Sequence, residues 1–131
     1  MPIIVGYTPT AEGDAALDHA VEEAKVHGDS LLVINVSASR EPSESTFASD
    51  EAIAALEQRL KETGVEATIR QLVRGKEPAE EIVSLARENS ARFIVIGLRR
   101  RSPVGKLLLG SNSQEILLDA DCPVIAVKAV R

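Results

Sequence analysis

Phe93-Ile94-Val95-Ile96-Gly97-Leu98-Arg99-Arg100-Arg101-Ser102-Pro103-Val104-Gly105-Lys106-Leu107-Leu108-Leu109-Gly110-Ser111-Asn112-Ser113 is the stretch that decides how this chain folds. Ile94-Val95-Ile96 is a β-branched run with no polar residue, the pattern of a strand covered on both faces. Gly97 ends it. Three arginines and a lysine follow on a glycine-bearing loop, and Gly110-Ser111 opens a helix, with Ser111 and Gln114 at the spacing of a capping box. Strand, glycine loop and helix start together form an architecture that holds phosphate. The first N–H groups of the helix point outward, and its dipole favours an anion there.

Working outward, the same alternation of strand and helix covers the rest of the chain. Ile3-Ile4-Val5-Gly6-Tyr7 reads as a first strand, closed by the turn-prone Thr8-Pro9-Thr10. A helix starts near Ala11, with Leu17, Ala20, Val21 and Ala24 as its apolar stripe and Gly28 as its stop. Leu31-Leu32-Val33-Ile34-Asn35-Val36 is a second buried strand. Ser37 to Asp50 is a long polar loop. Ser49 or Asp50 caps a second helix with the stripe Ile53, Leu56 and Leu60, ended by Gly64. Val65 to Val73 alternates, with Thr68 and Arg70 on one face and Ala67 and Ile69 on the other, which suits a strand near the sheet edge. Gly75 to Pro78 turns into a third helix that buries Ile82, Leu85 and Ala86. The last helix, Ser111 to about Asp119, buries Ile116 and Leu117, and Pro123 to Val127 is a fifth strand. Strict alternation implies right-handed crossovers and one parallel sheet with helices on both faces, a single domain over residues 1–131. With the strand order 3-2-1-4-5, ligands belong beyond the carboxyl ends of the strands, where the winding reverses beside strand one.

Composition narrows the function. The chain has 131 residues, a net charge of −5 and 2% aromatic residues. An acidic chain without aromatic platforms is a poor nucleic-acid binder, so no nucleic-acid partner is expected. Arg99-Arg100-Arg101 is a local exception that asks for a local explanation: phosphate contact, a solvated loop or a partner-facing patch. One cysteine, Cys122, cannot form an intrachain disulfide and fits a reducing compartment. There is no leader-like N-terminus and no apolar run of membrane-spanning length, so the expected location is cytoplasmic, with no membrane partner. His19 and His27 on the first helix and the carboxylates Glu22, Glu23, Glu80 and Glu81 read as surface groups. No His/Cys spacing suggests a metal ligand set, and Gly105-Lys106-Leu107 departs from a Walker loop.

From Ile3 to Val127 the chain resembles the universal stress protein family. Nucleotide-binding members carry G-x2-G-x9-G-[ST] after the fourth strand. Gly97, Gly110 and Ser111 match the first glycine, the last glycine and the hydroxyl position, while Arg100 stands at the second glycine. An arginine there either blocks the approach of phosphates to the backbone or contacts them with its guanidinium. Thr8 stands where the family has an aspartate that meets the adenine, and Val36 matches a valine whose backbone groups meet it. Gly75, Pro78 and the closing Pro123 to Val127 also match. The resemblance implies a Rossmann-like fold of the adenine nucleotide alpha hydrolase type, an ATP- or AMP-binding regulatory protein with Mg²⁺ as a possible companion, and no dedicated catalysis. The expected nucleotide-binding residues are Thr8, Val36, Gly97, Arg100, Gly110, Ser111 and Asn112. It also implies a homodimer through Pro123 to Val130 and a regulatory partner whose identity the sequence does not give. The alternative is a dimeric interaction module of the same fold that binds no nucleotide.

Overall fold

Apolar runs with period-two or continuous patterning become strands, and stripes at 3.6-residue spacing become the helices that cover them. The computed structural model describes residues 1–37, 49–73, 78–98 and 111–129, with the backbone alone at 36, 37, 72, 73, 111 and 112. The element order is β1 (Ile3–Gly6), α1 (Ala11–His27), β2 (Leu31–Ser37), α2 (Asp50–Thr63), β3 (Ala67–Val73), α3 (Pro78–Glu88), β4 (Phe93–Leu98), α4 (Ser111–Asp119) and β5 (Val124–Lys128). The sheet order is β3-β2-β1-β4-β5 and every neighbouring pair is parallel. The chain winds outward from β1 to β3, then returns to the far side of β1 for β4 and β5. The reversal therefore lies beside β1.

The pleat divides the sheet residues between two cores. Ile3, Val5, Leu31, Val33 and Val95 face α1 and α2, together with Leu17, Ala20, Leu56 and Leu60. Ile4, Leu32, Ile34, Ile94 and Ile96 face the other way, against Ile82, Leu85 and Ile116 of α3 and α4. Each such side chain, fully buried, contributes roughly 1.5–3 kcal/mol. Local chemistry sets the helix ends. The Thr10 hydroxyl accepts from the Gly13 N–H at 3.1 Å, and the Ser49 hydroxyl accepts from Ala52 at 3.1 Å. Gly28 (φ 67) and Gly64 (φ 77) close α1 and α2 in the left-handed region that favours glycine.

Several expectations are corrected. Gly97 does not end β4; it lies inside the strand and is paired with Val127 of β5. Leu117 is 41% exposed rather than buried, because a nine-residue helix lying along α3 buries one narrow line and Leu117 sits about 100° round from Ile116. Glu81 is only 6% exposed rather than solvated. Ser111 is the first helical residue of α4, and Gly110 lies outside the described residues.

Candidate functional site

β1 is followed by a turn that sets the carboxyl end of the sheet. The Tyr7 N–H donates to the Ile34 carbonyl at 2.9 Å and carries the β1–β2 ladder one residue past the strand. The Tyr7 carbonyl accepts at 2.9 Å from Nδ2 of Asn35, a fully buried side chain. Next, the Thr10 N–H donates to the Thr8 carbonyl at 2.8 Å, and the Thr8 and Thr10 hydroxyls lie 2.7 Å apart. That tight turn delivers Thr10 as the cap of α1.

Two glycines let α1 start so close. A Cβ on Gly13 would overlap the Thr8 backbone, its carbonyl oxygen above all, and a Cβ on Gly97 would overlap the backbone carbonyl of Glu12. Gly97 is thus required by the packing of α1 against β4. Its part in holding a ligand is a separate matter from that requirement.

The phase of the ladder gives the direction of the Val36 peptide. Ser30 and Ile34 accept from Ile3 and Tyr7, whereas Leu31 donates to Glu66 before β3. In a parallel sheet alternate residues of a central strand bond to opposite neighbours. Even-numbered residues of β2 therefore present their peptide groups to β1, and Val36 presents its own beyond the last β1–β2 pair, Gly6↔Ile34. On the other side of β1 the register Val5↔Val95 places Gly97 level with Tyr7. Thr8, the Val36 backbone and Gly97 thus meet at one mouth of the sheet. Ser111 and Asn112 open α4, the helix that follows β4, and so belong to the same carboxyl end. Arg100 and Gly110 lie outside the described residues.

A polar relay that sequence reasoning missed supports this mouth. Gln71 of β3 donates through Nε2 to Asn35 Oδ1 at 3.2 Å, opposite it in register. The Tyr7 hydroxyl donates to Asp14 Oδ1 at 3.5 Å, and Arg59 of α2 pairs with Asp14 at 3.2 Å and with Asp18. Burial, then the negative charge of Asp14, hold the Tyr7 hydroxyl above its ordinary pKa, so it stays protonated. One signal was available beforehand: Asn35 is the polar interruption in the run Leu31–Val36. Elsewhere, His19 and His27 flank Glu23 on α1 at 3.3 and 3.4 Å. A groove of about 400 Å³ between α3 and α4 is lined by Glu80, Val83, Ser84, Arg87, Glu115 and Asp119, away from the mouth. Among the described residues no group of three or more His, Cys, Asp or Glu could hold a metal ion, and no helix is long and apolar enough to cross a membrane.

Comparison with known proteins points one way. The model of the universal stress protein family matches residues 1–128. A universal stress protein of Mycolicibacterium smegmatis is 43% identical over 126 residues, covering 96% of this chain and 96% of its own length. Among solved structures, a universal stress protein from Archaeoglobus fulgidus superposes with a TM-score of 0.83 at 36% identity, over 98% of both chains. A structure of the universal stress protein from Archaeoglobus fulgidus in complex with dAMP has a TM-score of 0.68 at 31% identity, again over 98% of both chains.

Proposed function

The chain belongs to the universal stress protein family, and from that premise we propose that it binds an adenine nucleotide, ATP or AMP, and regulates by being occupied or empty. The observation that carries the reading is the Val36 peptide, directed at the mouth beside Thr8 where β1 has ended. The N–H and the C=O of one strand residue, on successive peptide groups, offer a donor and an acceptor side by side, which complements the acceptor and amino group on adenine's pairing edge. The dAMP bound by the Archaeoglobus fulgidus relative supports the same ligand class. The base lies between Thr8 and Val36, the ribose beside Gly97, and the phosphates on the N–H groups of Gly110, Ser111 and Asn112. Arg100 adds charge there and Mg²⁺ accompanies the phosphates. In α1 and α2 the Thr10 and Ser49 hydroxyls each take one first-turn N–H, that of Gly13 and that of Ala52.

The protein acts without dedicated catalysis. At the mouth the Thr8 and Thr10 hydroxyls bond one another, and the Tyr7 hydroxyl is held protonated, so none of them is poised as a base. It works as one cytoplasmic domain, as a homodimer through Pro123 to Val130, and with a regulatory protein partner rather than nucleic acid or membrane.

A native mass spectrum of the protein as purified, followed by calorimetry with AMP and with ATP and Mg²⁺, tests the reading. Bound nucleotide or a binding isotherm is expected. Gly110→Glu should abolish the isotherm while leaving the thermal midpoint in place, because it sets a bulky negative group against the phosphates. Silence of the wild-type protein toward ATP, ADP and AMP would leave the interaction module that binds no nucleotide.

A further inference from the structure

We propose that Asn35 is a positioning residue that keeps the Val36 peptide turned to the ligand, a proposal that rests on the nucleotide reading above. Because Tyr7 N–H bonds to Ile34, Tyr7 stands opposite Asn35, and the next rung of a parallel pair would run from the Val36 N–H to the Tyr7 carbonyl. The β1–β2 pairing stops before that rung, at Gly6↔Ile34, and the Tyr7 carbonyl accepts from Asn35 Nδ2 at 2.9 Å. The side chain of β2 has taken the place of its own main chain. The Tyr7 carbonyl can only accept, which turns Nδ2 of Asn35 toward it, and Gln71 Nε2 then donates to Asn35 Oδ1 at 3.2 Å.

The substitution has a chemical consequence. Closing the last rung would zip β1 to β2 and consume the Val36 donor. With the carbonyl of Tyr7 engaged by a side chain, the donor and acceptor of Val36 remain directed past the end of β1. Asn35 thereby contributes to base selectivity without touching the base. A valine or leucine in its place, which the rest of the strand uses, would pack as well and close the mouth.

Amide hydrogen exchange on the full chain tests this without any ligand. Asn35→Val and Asn35→Ala both remove the donor, with opposite changes in volume, so a folded variant is available on at least one side. In either, exchange at the Val36 amide should slow by about tenfold as it regains the Tyr7 carbonyl. Slowing at one amide is the reverse of what simple destabilisation does. Unchanged or faster exchange at Val36 would overturn the proposal. In the ligand arm, the variant should lose affinity for adenosine and AMP alike, by about tenfold, leaving their ratio intact because the phosphate seat is untouched. A loss confined to AMP would also overturn it. If wild-type protein binds neither adenosine nor AMP, the nucleotide reading falls while the exchange result still decides what Asn35 does.

Discussion

At the scale of single residues, the mouth depends on two missing side chains and one buried hydroxyl. Gly13 and Gly97 hold the first turn of α1 against the Thr8 loop and β4, and at either position a Cβ would enter backbone, which cannot rotate away. Gly97→Ala should therefore cost about 2–4 kcal/mol, read as a lowered urea midpoint with an unchanged slope. A variant as stable as the parent would mean that α1 can withdraw without cost. Tyr7 is the single tyrosine of the chain, so its ionisation can be followed by absorbance without overlap. Burial first, and Asp14 second, raise its pKa above the ordinary value of 10.0. The neutral form is favoured in the folded state. The stability this group contributes is present below the unfolded value and declines as pH rises through it toward the folded value. The tyrosinate midpoint of native protein should lie above 10.0. Asp14→Asn should lower it part of the way, leaving the elevation that burial supplies; a midpoint indifferent to Asp14 would count against the Tyr7–Asp14 contact.

At the scale of elements, most of the fold was legible because local and tertiary demands agree. Ser49, Gly28 and Gly64 are caps by their own chemistry, and the structure uses each as one. Alternation in β3 placed Thr68 and Arg70 outside and Ala67 and Ile69 inside, as an edge strand requires. What was not legible depends on neighbours far away in sequence. Gly97 is required by the backbone of Glu12, and no window around it contains the cause. At the opposite end of the sheet, Asp29 ties the α1–β2 turn to Arg92 before β4 and to the N-terminal amine at 3.5 Å. The hydrogen bond from Arg92 is the main cause that holds the Asp29 carboxyl below its ordinary value. A depressed carboxylate contributes stability that is complete above the unfolded pKa and is lost as pH falls through the folded one. Asp29→Asn should lower stability at neutral pH and shrink the difference between neutral and strongly acidic solution. Parallel acid limbs in the two proteins would show that the pair contributes nothing that titrates.

At the scale of the molecule, the candidate site was only half legible. The sequence marks a strand end, a cationic loop and a helix start, but whether they face Thr8 and Val36 is decided by sheet order, which brings β2 and β4 to either side of β1. The polar relay through Asn35 and Gln71 spans residues 36 apart and was visible only as one polar residue in an apolar run. The same sheet order leaves two unlike edges. β3 exposes Thr68 and Arg70, side chains that blunt edge pairing, whereas β5 presents Val124, Ile125 and Val127, all half-buried, with Lys128 as its only charge. A second copy related by a two-fold axis would cover β5 with β5, pairing the strands antiparallel and burying the three apolar side chains on both copies. Val127→Asp would place two like charges near that axis, and dissociation to the monomer mass is the expected result in light scattering. The exposed face of α4 is the competing surface, since Leu118 is 83% exposed. Leu118→Asp should leave the dimer intact if β5 is the seam. Dissociation by Leu118→Asp with Val127→Asp still dimeric would move the contact from the sheet edge to the helix.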